Sequence, residues 1–446
     1  MTWVDAVRSV MVGIADEAAP GIIDSDPQEY IYTTTEAVLE PIIEQDTLQS
    51  MDERGITFIV DRPYHVVGNI ASWAFPEDNG FGQMLRGAFG SASATYLASG
   101  CYIHRFDVVD TRIPSHTIWM KTKTFEVTGT NCQIHKLTVK NSKASILDYS
   151  ADIIGSQLAT STTFGTATYA TSSAKVFRSG GARIYWGDIL SSNVDDVIFV
   201  IDNSVDPQDA KALGDIYANH ILAGDRTVSG DMTIFIESTR ELKDFWGSET
   251  GPILNKDKIP IMMIWESASI LSSGTTVGAT VKLMGDGTPT LTTGGLYSGS
   301  LDYSFYEVKI VEASATDSMM WRKNGGDWSD SIELITGAIS LEDGVTIEFS
   351  DTTGNTTADR WFFYAGEIPY AFIVYMPSVN INSFAPSTVG SRLSAKVSYT
   401  AETNFIDGID FEAVAFLINT QELSYGERII SMQFYNVSNS QYLAIV

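Results

Sequence analysis

Val66-Val-Gly-Asn-Ile70 and Val228-Ser-Gly-Asp-Met232 are one phrase written twice, and their reading decides the fold. Each belongs to a β run that is followed by a polar turn and a short segment with apolar residues at helical spacing. That segment is Phe81-Gly-Gln-Met-Leu-Arg-Gly87 in the first half and Arg240-Glu-Leu-Lys-Asp-Phe-Trp-Gly247 in the second, and each closes on glycine. Gly68 and Gly87 are 19 residues apart, Gly230 and Gly247 17, so these four glycines define the repeat. Upstream, Tyr30-Ile-Tyr32 precedes Gly68 much as Val197-Ile-Phe199 precedes Gly230. Downstream, Leu147-Asp-Tyr-Ser-Ala-Asp-Ile-Ile154 matches Leu393-Ser-Ala-Lys-Val-Ser-Tyr-Thr400. A solenoid unit recurs every ~20 to 50 residues, so a spacing this long reads as a duplicated domain. Chance recurrence in a β-rich chain is the competing reading.

The rest of the chain is written in short β-branched and aromatic runs separated by Gly, Asn, Asp and Ser, which gives a mainly β fold class. Ile56-Thr-Phe-Ile-Val60, Ile134-His-Lys-Leu-Thr-Val139 and Phe372-Ile-Val-Tyr-Met376 are examples. The 446 residues suffice for two to four domains of about 150 each. One stretch, 279–367, has no counterpart in the first half. Its strands alternate at ~10-residue spacing with Asn-Gly and Asp-Gly turns, as in Met320-Trp-Arg-Lys-Asn-Gly-Gly-Asp-Trp328, the pattern of a small β-sandwich. A compact module whose ends lie close together is tolerated at a surface loop. The expected organisation is 1–180, then 181–278 continued by 368–423, with 279–367 inserted and 424–446 as a C-terminal arm.

Lys and Arg number 28 against 55 Asp and Glu, a net charge of −27 that repels phosphate and argues against a site gripping a nucleic-acid backbone. Solubility is the plain reading of that excess; a surface that must lie near DNA without sticking is the sharper one. Cys101 and Cys132 are too few for a disulfide framework and read as free thiols. The N-terminus lacks the basic start and apolar run of a secretory signal, and no stretch approaches the ~20 apolar residues of a membrane span.

Catalytic and cofactor patterns are missing. Gly90-Ser-Ala-Ser-Ala94 fails the nucleophile-elbow spacing. His65, His104, His116, His135 and His220 contain no zincin pair, and no glycine loop of the phosphate-cradling type occurs. Asp327-Trp-Ser-Asp330 and Asp351-Thr-Thr-Gly-Asn355 lack EF-hand spacing and read as solvated turns. Trp321, Trp328 and Trp361 could form a sugar platform, but in a ~90-residue sandwich they read as core. No enzymatic activity, metal or cofactor is expected.

The first half resembles the tail tube proteins of long-tailed, siphovirus-like phages, in the subfamily with two tandem tube domains in one chain. The resemblance is carried by Val10-Met-Val-Gly-Ile-Ala-Asp-Glu-Ala-Ala-Pro-Gly21, by Gly80-Phe-Gly-Gln-Met-Leu-Arg-Gly-Ala-Phe-Gly-Ser91 and by Ile113-Pro-Ser-His-Thr-Ile-Trp119. The second half resembles the same family through Val197-Ile-Phe-Val-Ile-Asp-Asn203 and Thr227-Val-Ser-Gly-Asp-Met-Thr-Ile234. Together these cover roughly two-thirds of the chain. The inserted segment looks like the immunoglobulin-like modules of phage-tail proteins. The resemblance implies two tandem tail-tube β-sandwich/barrel domains with short helices, plus an inserted immunoglobulin-like β-sandwich on the outside. It implies a structural virion subunit of the tail, in which six domains line a ring and three copies of a duplicated chain suffice. Inner strands would form one continuous barrel and rings would stack into a tube. The implied partners are the chain itself, a tape measure protein, tail-end proteins, and DNA that passes without specific binding, with no membrane. On this reading the lumenal strands carry much of the −27 and conduct DNA during ejection. The chain departs from the family in placing its extra module inside the second half. Two rival readings remain: a multidomain β-sandwich adhesin or receptor-binding protein, and a glycan hydrolase needing two carboxylates about 5 to 10 Å apart.

Overall fold

The computed structural model describes residues 10–22, 27–31, 33–34, 37–48, 58–77, 80–109, 112–160, 164, 176–191, 194–207, 216–218, 221–236, 240–248, 250–253, 256–271, 274–389, 392–403, 411–426, 433–437 and 440–444. The fold is mainly β, with antiparallel sheets and two α-helices among the described residues. The first half supplies β1 (Met11–Asp16), β2 (Glu29–Ile31), β3 (Val38–Ile42), β4 (His65–Trp73), β5 (His116–Lys121), β6 (Glu126–Ser142), β7 (Asp148–Gly155) and β8 (Gln157–Thr160). The second supplies β9 (Ala182–Trp186), β10 (Ile189–Ser191), β11 (Val194–Asp202), β12 (Thr227–Phe235), β13 (Ile259–Leu271), β14 (Ile368–Val389), β15 (Arg392–Ala401) and β16 (Val414–Asn419).

Pairing follows one scheme in both halves. In the first, β1 pairs β2 and β5, β5 pairs β6, β6 pairs β8 and β7, β7 pairs β4, and β4 pairs β3. In the second, β9 pairs β10 and β13, β13 pairs β14, β14 pairs β16 and β15, β15 pairs β12, and β12 pairs β11. The halves meet where β6 pairs β11, and again where Cys101–Asp107 pairs β16. The result is a continuous row of eight strands, β3-β4-β7-β6-β11-β12-β15-β14.

β6 and β14 run for 17 and 22 residues because each serves two sheets. Their N-terminal parts pair in a back sheet and their C-terminal parts in the row. Each carries a β-bulge at the crossover, between Ile134 and Lys136 in β6 and between Ile381 and Ser383 in β14. A bulge adds one residue and bends its strand, which turns each strand from one sheet into the other. The residues facing the two bulges, Ile153 and Tyr399, lie directly opposite Gly68 and Gly230.

One hydrophobic core fills the space between row and back sheet. Val66, Ile70, Leu137, Ile153, Phe199, Met232 and Val397 project into it from the row, and Ile118, Met263, Phe372, Val374 and Leu417 from the back sheet. Helix α1 (Phe81–Phe89) is buried within this core except at Arg86, and its Phe81 ring centroid lies 5.1 Å from that of Phe372 and 5.2 Å from that of Tyr149. Helix α2 (Arg240–Trp246) is the second-half counterpart by position after the Gly230 strand.

The residues between β13 and β14 form a separate pair of sheets. Five strands run in the order Val281–Met284, Arg360–Gly366, Tyr303–Glu312, Ser318–Lys323, Ile332–Glu333, and three in the order Leu291–Gly295, Val345–Phe349, Ile339–Ser340. Tyr306, Val308, Met319, Ile347, Phe349, Trp361 and Phe363 fill the space between them. Leu271 is paired with Ile368, so this sandwich occupies the tip of the β13–β14 hairpin. In the first half the matching β5–β6 hairpin closes from Lys121 to Glu126 through a tight turn, with Thr122 N–H donating to the Phe125 carbonyl at 2.9 Å. The sandwich rests on the back sheet through a second apolar cluster that joins Leu283, Phe305, Phe362 and Tyr364 to Ile264, Ile373, Phe416 and Ile418. The layers are therefore the row, the core, the back sheet and the two sheets of the sandwich.

Three sequence expectations change. The strand beside the Gly68 strand is β3, Val38–Ile42, whereas Tyr30 and Ile31 lie in β2 against β1. Gly87 lies inside α1, where a Cβ would come within 2.6 Å of both His116 Nε2 and Ile134; the left-handed C-cap is Gly90, with φ 107°. Gly247, with φ 77°, does terminate α2. Of the three tryptophans, Trp361 is core and Trp321 packs at its margin, but Trp328 lies over charge instead, with Lys309 Nζ 4.0 Å and the Arg322 guanidinium 4.5 Å from its ring centre. His220, residues 1–9 and part of Ile56–Val60 lie outside the described residues. In the arm that follows Ser424, Gln433–Val437 pairs Ser440–Ala444 as a hairpin.

Candidate functional site

Residues directly opposite each other in an antiparallel ladder share a face, so the registers sort every side chain of the row. One face is the core just described. The other is polar and open: Asn69, Asp148, Ser150, Asp152, Lys136, Thr138, Lys140, Asp196, Asp202, Ser229, Asp231, Thr233, Lys396, Ser398 and Ser383 all lie on it, half-buried or exposed. Alternation of this kind is what a sheet with one wet side requires. Large apolar groups on this face, Val38, Ile42, Val67, Trp73, Ile154, Ile198, Val200 and Phe235, are outnumbered by its polar ones and lie half-buried or exposed.

Among the described side chains, the charged groups of this face are six carboxylates, Glu40, Asp148, Asp152, Asp196, Asp202 and Asp231, against three amines, Lys136, Lys140 and Lys396. Asn69 Nδ2 donates to Asp152 Oδ1 at 2.6 Å, and Lys396 Nζ stands 3.5 Å from Asp231. Partial burial holds the Asp148 carboxyl above its ordinary range, opposed by Lys140. The face is mildly acidic and lined with hydroxyls. Its described side chains hold a small share of the −27, because the register places lysines between the aspartates.

The row ends in two open edges. Among the described residues no ladder covers the outer side of β3 or of the Ile381–Val389 part of β14. Unpaired strand edges are templates for pairing with another chain.

Gly68 and Gly230 sit in the middle of the row at matching places, one in β4 and one in β12. A Cβ at Gly68 would come within 2.9 Å of the Val38 carbonyl oxygen; at Gly230 it would collide with the Ile198 carbonyl oxygen and the Tyr399 hydroxyl. Tyr399 Oη reaches across Gly230 to donate to Ile198 O at 2.9 Å. Gly87 and Gly247 belong to the helices and lie away from the open face.

Among the described residues no catalytic constellation emerges. His65, His104 and His116 are buried, and His116 Nδ1 is 2.9 Å from Asp16 Oδ1 inside the fold, where Arg86 also meets Asp16. Among the described residues no group of three His, Cys, Asp or Glu side chains could hold a metal. A groove of ≈ 640 Å³ beside Asn141, Arg183, Asp195 and Asp196 contains the Lys143–Asp195 ion pair at 3.2 Å and no facing carboxylate pair. No helix among the described residues is long and apolar enough to cross a membrane.

A family model described as phage tail tube protein matches residues 8–305, two-thirds of the chain. No curated protein matches the sequence.

Proposed function

We propose that this chain, which belongs to the phage tail tube protein family and is a structural component of the virion tail, closes with two further copies into a ring around a channel that conducts DNA. The observation that carries this reading is the row of eight strands, built from two four-strand groups with matching bulges and matching glycines, with a polar face and an open edge at each end. Three copies supply twenty-four wall strands. At a strand spacing of about 4.8 Å and a tilt of about 40°, such a wall closes at about 48 Å between backbones, wide enough for a double helix. Closure also removes the exposed edges.

On this reading the two groups are tandem tube domains, and the open face lines the channel. Hydroxyls and a slight acidic excess keep phosphate backbones from adhering. The sandwich between β13 and β14 is an immunoglobulin-like decoration module. It lies on the far side of the core from the open face, which puts it on the outside of the tube. Rings stack head to tail, and the stack ends on tape measure and tail-end proteins. The chain performs no catalysis.

Negative-stain electron microscopy of the purified protein tests this directly. Stacked rings with a central channel and three chains per ring are expected. Separate elongated particles would favour the adhesin reading, and six chains per ring would overturn the account of the repeat.

A further inference from the structure

The two open edges face different ways in the fold, yet the chain contains a worked example of how such edges join. β6 and β11 are the inner edges of the two four-strand groups, and they pair antiparallel from Lys136 opposite Asp202 to Ser142 opposite Asp196. β14 is the counterpart of β6, and β3 the counterpart of β11. The common reference points fix both correspondences. Ile134 and Ile381 precede the bulge, so Lys136 corresponds to Ser383. Leu39 and Phe199 lie opposite Gly68 and Gly230, so Asp202 corresponds to Ile42.

From these correspondences we infer that β14 of one copy pairs antiparallel with β3 of the next in one register, Ser383 opposite Ile42, Phe384 opposite Pro41, Ala385 opposite Glu40, Pro386 opposite Leu39 and Ser387 opposite Val38. This rests on the ring reading above and specifies its seam.

Backbone hydrogen bonding supports the register independently. In an antiparallel strand, successive residues direct their N–H and C=O to alternate sides. Ile236 N donates to Leu393 O, which turns Ala395 and Val397 toward β12 and leaves Ser394, Lys396 and Ser398 for β14. The β14 residues they meet are Ser387, Ala385 and Ser383, so Phe384 and Pro386 direct their backbone outward. Likewise Ala74 N donates to Leu147 O, which fixes Gly68 and Ile70 toward β7 and Val67 and Asn69 toward β3. Val38 and Glu40 therefore face inward, and Leu39 and Pro41 outward. The outward residues of the two edges fall opposite each other in the inferred register. The internal junction has the same phase, since Asn203 N donates to His135 O two positions beyond the Leu137–Ile201 pair.

Each edge carries one proline, Pro41 and Pro386, while the paired stretches of β6 and β11 carry none. Both prolines direct their missing donor at the seam. In this register each meets a residue that keeps its N–H: Phe384 N–H reaches the Pro41 carbonyl, and Leu39 N–H the Pro386 carbonyl. A shift of two residues in one direction would put proline opposite proline and leave that pair with no bond at all. The prolines thus thin the ladder on both edges, which blunts pairing with unrelated strands, and penalise that slipped register. The seam also lacks the Lys136–Asp202 opposition of the internal junction, having Ser383 opposite Ile42.

Ala385 and Glu40 form a pair without backbone bonds between them, in which Cα atoms approach to about 4.5 Å, a distance that suits a disulfide. Assembled tubes of an Ala385→Cys, Glu40→Cys double variant, oxidised and run without reductant, are expected to yield covalent trimers, whereas Ala385→Cys with Val38→Cys is not. The buried Cys101 and Cys132 do not compete. Cross-linking through Val38→Cys in place of Glu40→Cys, or tubes with three-fold rings and no cross-link from either pair, would overturn the register and leave the ring reading standing. Failure of the unsubstituted protein to form rings would overturn both.

Discussion

Of the two glycines at the middle of the row, Gly230 has less room to change. A methyl group there would meet the Ile198 carbonyl oxygen, a backbone atom held in the β11–β12 ladder, and the hydroxyl of Tyr399, which is fixed by its bond to the same carbonyl. At Gly68 the tightest approach is 2.9 Å, to the Val38 carbonyl on an edge strand that can give way. Overpacking costs about 1–3 kcal/mol, so Gly230→Ala is expected at the upper end and Gly68→Ala at the lower, read as a larger fall in thermal unfolding midpoint for the former. Equal midpoints would show that the two glycines are not under different constraint. The cysteines give a second residue-scale expectation. Burial pushes the Cys101 thiol up to about 11 and the Cys132 thiol higher still, so both stay protonated at pH 8. A thiolate-directed alkylating agent should label neither in the folded protein and both in denaturant; rapid labelling of native protein would contradict the packing around them.

At the scale of elements, the sandwich is fastened by more than its apolar face. Glu307 is fully buried, with Oε2 2.5 Å from Arg322 Nε and Oε1 3.0 Å from Arg360 Nη2, and Arg360 reaches on to Asp188 at 2.6 Å in the turn between β9 and β10. Replacing one member of a buried charge set leaves its partners uncompensated, at about 3–5 kcal/mol. Glu307→Gln is therefore expected to raise amide exchange in Tyr303–Glu312 and Arg360–Gly366 while the row stays protected; unchanged exchange would mean the apolar contact alone holds the module. This fastening was invisible in the sequence because its members lie far apart along the chain. What the sequence did display was local: the glycine phrase of β4 and β12, the continuous strand phrase of β7 and β15, and the Asn-Gly and Asp-Gly turns of the insertion. β3 is not legible as a strand because Val-Leu-Glu-Pro-Ile carries a proline, while Tyr30-Ile-Tyr32 is richer in β-formers. The glycine rule places the helix end at Gly87, but Gly87 is a packing glycine three residues ahead of Gly90, the true cap. The open face and the bulges are properties of register, and register is set by strands distant in sequence.

At the scale of the whole molecule the row presents a wet sheet face, and the proposed channel makes its charge consequential. Asp148→Lys, Asp196→Lys and Asp202→Lys together would convert six carboxylates and three amines into three and six. Tubes are expected to assemble, because these side chains point away from the core, while genome delivery per adsorbed particle falls as phosphates find counter-charges. Undiminished delivery would argue that the wall's charge is irrelevant to transit. Removing 279–367 tests the opposite side. Ile264, Ile373, Phe416 and Ile418 would lose their cover, so the shortened chain should aggregate unless those positions are also made polar. The two hairpin tips themselves bear on engineering. One tip, between β13 and β14, already carries a folded passenger; its sister, Thr122 to Phe125, occupies the same place in the scheme and carries only a tight turn. A cargo protein with adjacent termini, spliced there, would give two addressable sites per chain, and on the proposed ring reading three new display stations per ring.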